Sequence, residues 1–262
     1  MRRIIATSLA LSLLIFARES SAQSNSSLIS AFNQGETLTF SLAWVRVIGG
    51  TAQMTIGPVA GQASYRMTSL MQSNSVFNLI FRVRDEVESV VDREAFSTTR
   101  YQKVLNERGR TKNELTVIDP DRGMALRKGV EIPVPHPIFD PLSLMYHLRT
   151  LELTPGKTQR LSVIADGKVY MMEAAVTRGE VIDTDAGKFE TVVVEPKMQE
   201  GGIFRDDRNR LVLWYSDDAR HLPVRIRSEF KAGNITATLR SVQVGPVAVP
   251  AAPKESPRPA QR

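Results

Sequence analysis

Three histidines, His136, His147 and His221, are the first candidates for metal ligation in a chain without cysteine. Their settings do not converge. His147 falls in a helical pattern with Leu151 where a second ligand would stand at i+4, His136 lies in a proline run and His221 in a charged turn. No metal or cofactor is expected. Paired carboxylates occur at Asp85/Glu86 and Asp217/Asp218. Neighbours on a strand point to opposite faces, so at most one of the first pair points inward. The second pair falls in a turn, where aspartate is favoured on conformational grounds. A hydrolase using Asp85 or Asp217 for acid–base work is the enzymatic reading. The many serines come without a Gly-x-Ser-x-Gly elbow, and there is no phosphate loop or dinucleotide fingerprint. No residue is assigned a catalytic role, and a non-enzymatic protein is the favoured expectation.

Two polar residues stand out for where they point. Asp85 shares a strand face with Val83, Val87 and Val91, and Arg149 follows Leu148 at the end of the helical pattern. An isolated buried charge is costly, so each needs a partner. The plain expectation is an ion pair or cap tying helix to sheet. The functional one is a polar anchor at the bottom of a ligand groove walled by Trp44, Phe77, Phe81, Trp214 and Tyr215. Those aromatics equally suit an ordinary core.

The elements that would position these residues are mostly strands. Leu38, Phe40, Leu42 and Trp44 alternate with polar residues after Gly35, and Gly49-Gly50 marks a turn into Thr51–Ile56. Strict alternation continues through Tyr65–Met71 and Arg82–Asp92, then Tyr101–Asn106, Lys112–Ile118 and Met124–Lys128. Val76–Phe81 reads as a helical turn or a buried strand edge. Pro133, Pro135 and Pro137 hold the chain extended up to one helix over 140–151. Asp140 is its N-cap, Pro141 its first residue, and Leu144, Met145, Leu148 and Leu151 its apolar stripe. A second meander follows. Asp166-Gly167 marks a hairpin, Phe189–Val194 is a buried strand stopped by Pro196, and Glu200–Arg210 is a polar loop. Leu211–Tyr215 and a hairpin through Gly233-Asn234 complete it.

Arg2 and Arg3, an apolar run from Ile4 to Phe16 and Ser20-Ser21-Ala22 together read as a signal peptide cut near Ala22. No later run reaches membrane-spanning length, so a soluble periplasmic or secreted product without a transmembrane segment is expected. The formal charge is +6, and Met1–Ala22 removes three arginines and one glutamate to leave +4. That excess permits a loose preference for anionic surfaces without implying nucleic acid. Residues 23–34 read as a lead-in, 35–243 as a single β domain, and 244–262 as a disordered tail rich in proline and alanine.

Four pieces in order resemble an exported bacterial family, domain of unknown function 3108. They are Gly35-Glu36-x-Leu38-x-Phe40 with Trp44 and Gly50-Thr51-Ala52; Val83-Arg84-Asp85 with Glu88-Ser89 and Asp92; Asp140-Pro141-Leu142-Ser143 through Tyr146 to Leu148-Arg149; and Leu213–Asp218 with Arg220, Leu222-Pro223-Val224 and Gly233-Asn234-Ile235. The resemblance spans about Gly35 to Val242 and implies an envelope-resident β protein with no established activity.

The expectation is an all-β fold: two antiparallel meanders forming a curved sheet or open barrel, with one short central helix packed on it. Its expected function is binding an apolar or amphipathic, lipid-like envelope ligand in the concave face. If the helix fills that face, a scaffold for an envelope protein partner is expected instead.

Overall fold

The structure is a computed structural model that describes residues 27–45, 47–75, 82–107, 110–198, 210–230 and 233–247. Phe77, Phe81, the rest of Val76–Phe81, the leader through Ala22 and the tail beyond Val247 lie outside the described residues, as does the 200–209 loop.

The alternating segments form strands as expected. Before the central helix come β1 (Glu36–Trp44), β2 (Val47–Pro58), β3 (Ser64–Ser73) and β4 (Val83–Asp92). Next are β5 (Thr98–Glu107), β6 (Arg110–Asp119), β7 (Met124–Arg127) and β8 (Val130–Pro133). After it come β9 (Thr158–Ala165), β10 (Lys168–Arg178), and a small hairpin of β11 (Ile182–Thr184) and β12 (Gly187–Phe189). Then follow β13 (Thr191–Met198), β14 (Arg210–Ser216), β15 (Pro223–Phe230) and β16 (Gly233–Val244). Fourteen of them make one antiparallel sheet in the order β8-β7-β6-β5-β4-β3-β2-β1-β16-β15-β14-β13-β10-β9. The two meanders therefore join where the first strand pairs the last, Phe40 beside Leu239.

The sheet rolls up without closing. Along β9 and β10, Val163 and Tyr170 belong to the main core, whereas their neighbours Ile164 and Val169 pack with Ile118, Ala125 and Ile132 of β6 to β8. Successive side chains on a strand point to opposite faces. One end of the sheet thus lies over the outer face of the other, like the overlap of a scroll. Ile138 and Phe139 are laid into the seam: the Thr98 amide donates to the Ile138 carbonyl at 2.8 Å, and the Phe139 amide donates to the Ser162 carbonyl at 3.0 Å.

Three local readings need correction. The first hairpin turns at Val45, and Gly49-Gly50 lies inside β2. Gly50 is there because a Cβ would sit 2.2 Å from the Gln72 carbonyl oxygen of β3. Pro196 does not stop β13, which runs on to Met198. Beyond Val194 that strand pairs only with β10, so the missing N–H leaves no ladder broken on the other side. The third is the helix count.

Residues 27–34 form a helix, α1, within the segment read as a lead-in, so the central helix is not alone. Its Leu28 and Phe32 are buried, with Phe32 against Tyr65, Phe96 and Tyr146 at 5.9–6.2 Å between ring centroids. The expected central helix, α2 (Pro141–Leu148), lies inside the roll against β3, β4 and β9. It buries Leu142, Leu144, Tyr146 and Leu148, leaving Met145 and Leu151 half-buried. Its N-cap is Asp140, as expected.

Asp140 has no solvent exposure, and its carboxylate accepts four hydrogen bonds. Oδ1 takes the amides of Leu142 (2.8 Å) and Ser143 (3.1 Å), while Oδ2 takes the hydroxyls of Ser89 and Thr98. Burial pushes the carboxyl above its ordinary 3.8, and those donors pull the other way. We predict that Asp140→Ala loses about 2–4 kcal/mol of stability, more than a surface cap would, because it strands hydroxyls of β4 and β5 as well as helix amides. Asp140→Asn, which keeps the Oδ1 acceptor, loses less. Urea denaturation of both variants checks the order.

Candidate functional site

The roll has two unlike ends. Turns joining β1 to β2, β3 to β4, β5 to β6, β7 to β8, β9 to β10 and β15 to β16 face one way, and we call that end the mouth. Glu36, the β14–β15 turn and the C-terminal end of α2 lie at the other, closed end.

Arg149 sits at the closed end as the C-cap of α2. Its guanidinium grips Glu36 bidentately, with Nη2 donating to Oε2 at 3.0 Å, and its Nε donates to the Arg220 carbonyl at 3.2 Å. Both members of the pair are fully buried, and Arg149 stacks over Phe32 and Tyr146 at 5.1 and 5.6 Å. Arg149 is therefore a structural tie from helix to sheet, as the plain expectation had it, and its partner is Glu36. The Tyr215 hydroxyl donates to the Met145 carbonyl at 3.0 Å, which places this aromatic in the core under the helix. The buried Tyr146 hydroxyl has no hydrogen-bond partner among the described residues. Its own burial, with the Glu36 charge adding, raises its pKa well above the usual tyrosine value.

Asp85 lies toward the mouth on the inner face, across from Met71 of β3 and Leu105 of β5. It is buried and accepts the Asn106 amide at 3.0 Å. Trp44 ends β1 at the rim of the mouth. Trp214 is a correction: it sits on the outer face beside Arg225, 5.8 Å from ring centroid to guanidinium, and does not face the interior of the roll. Leu213 and Tyr215 take the inner positions instead, so the aromatic run of β14 splits between faces by strand alternation. The structure thus brings Trp44 and Asp85 to one end, Arg149 and Tyr215 to the other.

Among the described residues, the inner wall between rim and helix is only half covered. Leu42, Ala52 and Val87 of β1, β2 and β4, and Leu211 and Ile226 of β14 and β15, are partly exposed, with Met145 of α2 below them. Residues of the same face nearer the closed end, Leu38, Phe40, Ile56, Met67 and Leu239, are fully buried. On the side of β10 and β13 the wall is filled by Met172 and Met198. The periodicity of the strands announced which face is inner, but nothing in it separates mouth from closed end, because that depends on how far the described helices reach.

One flank of the mouth is charged. Glu114 of β6 is buried among Lys103, Lys112, Arg127 and Lys128, all within 3.4 Å, and Lys103 also pairs with Asp166 of the β9–β10 turn. Burial alone would raise the Glu114 carboxyl; hydrogen bonds from Lys112, Lys128 and Arg127 and the charge of Lys103 outweigh it and hold the value at about 2. The paired carboxylates Asp217 and Asp218 stand in the turn at the closed end, where Asp218 accepts from Ser216 Oγ at 2.7 Å and from the Arg220 amide at 3.0 Å. Among the described residues no three His, Asp or Glu side chains gather as metal ligands would. His221 Nδ1 lies 2.9 Å from the Arg149 carbonyl oxygen, and His147 stacks on Phe139 at 4.3 Å.

Two outcomes are expected. Arg149→Met leaves the Glu36 carboxylate buried without its cation and costs about 3–5 kcal/mol, whereas Glu36→Gln together with Arg149→Met recovers part of that loss. A double-mutant cycle by urea denaturation measures the difference. Burial lowers His147 from its ordinary 6.5 to about 4. The unfolded chain takes up this proton below about 6.5 and the folded one only below about 4, so the folded state loses stability as pH falls through that interval. His147→Gln lacks that contribution, and the difference in Tm between it and the parent should change sign or narrow in favour of the variant between pH 7 and about pH 4.

No curated protein matches the chain by sequence. Among solved structures, it is similar to a β-barrel-like protein of domain of unknown function DUF1849 from Brucella abortus, at 10% identity and a TM-score of 0.57 over 81% of this chain and 98% of that one. That likeness supports the barrel-like fold. A second similarity, to the Pseudomonas aeruginosa MucA/MucB complex structure, has 12% identity and a TM-score of 0.33 over 87% of this chain and 59% of that one. The model of the family described as Protein of unknown function (DUF3108) matches residues 37–240, which takes in the rim, both walls of the mouth and α2. The chain belongs to that family.

Proposed function

We propose that this is an exported, non-enzymatic protein of the cell envelope that holds an apolar or amphipathic ligand, of the acyl-chain class, in the mouth of its β-roll. One observation carries the reading: the inner wall at Leu42, Ala52, Val87, Leu211 and Ile226 is apolar yet only partly buried, while Leu38, Phe40, Ile56, Met67 and Leu239 of the same face nearer the closed end are fully buried. Apolar wall left in contact with water favours an apolar occupant, and a few polar groups then orient it. Asp85 on the inner face and the cations around Glu114 on one flank are the groups positioned to meet a ligand's polar head. Trp44 stands at the entrance. A scaffold would instead need helices that cover the whole concave face. The arginine-led apolar leader supports export.

A fluorescent fatty acid titrated into the mature chain tests this. Saturable binding is expected, and Ala52→Trp, which fills the mouth from one wall, should weaken it by about tenfold or more while Tm stays within a few degrees. Absence of saturable binding, or an unchanged affinity in a folded Ala52→Trp variant, contradicts the reading.

A further inference from the structure

The β1–β2 tip at the rim exposes four large apolar residues within five positions: Trp44 (40%), Val45 (53%), Val47 (60%) and Ile48 (65%). Single exposed apolar residues are ordinary, but a contiguous group at one projecting turn marks a contact site. Val45 holds the tip in shape at φ +47, a left-handed conformation unfavourable for a β-branched residue, with its amide donating to the Asn234 carbonyl at 3.1 Å.

Charge says what the tip faces. The exposed residues Arg82, Arg84, Lys112, Lys128, Lys168 and Arg210 all lie at the mouth end. The closed end exposes Glu94, Asp119, Asp121, Glu152, Asp217 and Asp218 beside Arg93, Arg122, Lys157, Arg178 and Arg220, so it lacks that cationic excess. Several of these cations also have carboxylate partners, Arg84 with Glu86, Arg210 with Glu195, and Lys112 and Lys128 with Glu114, yet the cationic excess stays at the mouth end. A molecule with this polarity orients its mouth toward an anionic surface.

We propose that the mouth end docks on an anionic phospholipid surface, with Trp44, Val45, Val47 and Ile48 dipping into the interface and the rim cations meeting the headgroups. An indole with an apolar body and a polar N–H suits that boundary, and apolar contact combined with basic charge is how peripheral proteins hold a bilayer. The charge spreads around a whole end, which fits an extended surface better than a single complementary pocket on another protein. Docking of this kind stands whether or not the mouth carries a ligand. With a ligand, it lets an acyl chain pass between bilayer and mouth with little exposure to water.

The test uses the mature chain carrying Trp214→Phe, so that Trp44 is the one remaining indole of the two. It is mixed with vesicles of phosphatidylethanolamine and phosphatidylglycerol, and separately with vesicles of phosphatidylcholine. Co-sedimentation with the anionic vesicles, a blue shift of Trp44 emission and weakening by added salt are expected. Val47→Ser with Ile48→Ser, both at exposed positions, should weaken vesicle binding by about tenfold or more with Tm unchanged. No co-sedimentation, equal binding to neutral vesicles, or full binding by the doubly substituted tip overturns the proposal. Capture of a protein through the tip without any vesicle binding overturns it too. The same double variant should bind the fluorescent fatty acid as the parent does, so failure of docking and failure of ligand binding are separately visible.

Discussion

A helix buried inside a β-roll brings free amides and carbonyls into an apolar interior, and the rest of this structure depends on satisfying them. At the N-terminus of α2 Asp140 does so, and its second oxygen is in turn held by Ser89 of β4 and by Thr98 at the start of β5. At the C-terminus Tyr215 of β14 donates to the Met145 carbonyl, His221 meets the Arg149 carbonyl, and the Arg149 side chain reaches Glu36 of β1 and the Arg220 carbonyl. The same contacts that finish the helix therefore tie it to both meanders. Neither meander alone could place it.

This explains why the roll is dense at one end and sparse at the other. All the polar ties of α2 point toward the closed end, where α1 adds Leu28 and Phe32 to complete the core. In this sheet of fourteen strands the described helices fully cover the inner face only toward the closed end. At one seam the scroll-like overlap packs Ile164 and Val169 under β6 to β8, while Leu42, Ala52 and Val87 near the mouth stay partly exposed. The charged group around Glu114 sits where the β9–β10 tip meets β5 to β7, so the seam of the scroll and one flank of the mouth are the same place.

Much of the fold was legible in the sequence because its signals are local. Period-two alternation located nearly every long strand, and Asp140-Pro141 ahead of an apolar stripe located the start of α2 to its cap, though the helix ends at Leu148 rather than Leu151. What escaped depended on distant neighbours. Gly50 looked like a turn until the Gln72 carbonyl explained it, and Pro196 looked like a strand end until its one-sided pairing did. The helix at 27–34 is short and offered no strong periodic signal, so only its burial against Tyr65, Phe96 and Tyr146 accounts for it. Asp85 and Arg149 were rightly singled out as inward polar groups, yet Glu36 is 113 residues from Arg149 and nothing in the spacing links them. Trp214 was misplaced for a related reason, since a run of five apolar residues does not say which of them face inward.

The central claim is that the half-covered wall above Met145 is a binding surface rather than a packing defect. Native mass spectrometry of the mature protein, expressed with its leader and purified from the envelope fraction of its host without detergent, addresses it most directly. The account predicts a population heavier by the mass of one acyl-bearing molecule, lost on Ala52→Trp substitution. A single species at the bare mass of the mature chain would contradict it.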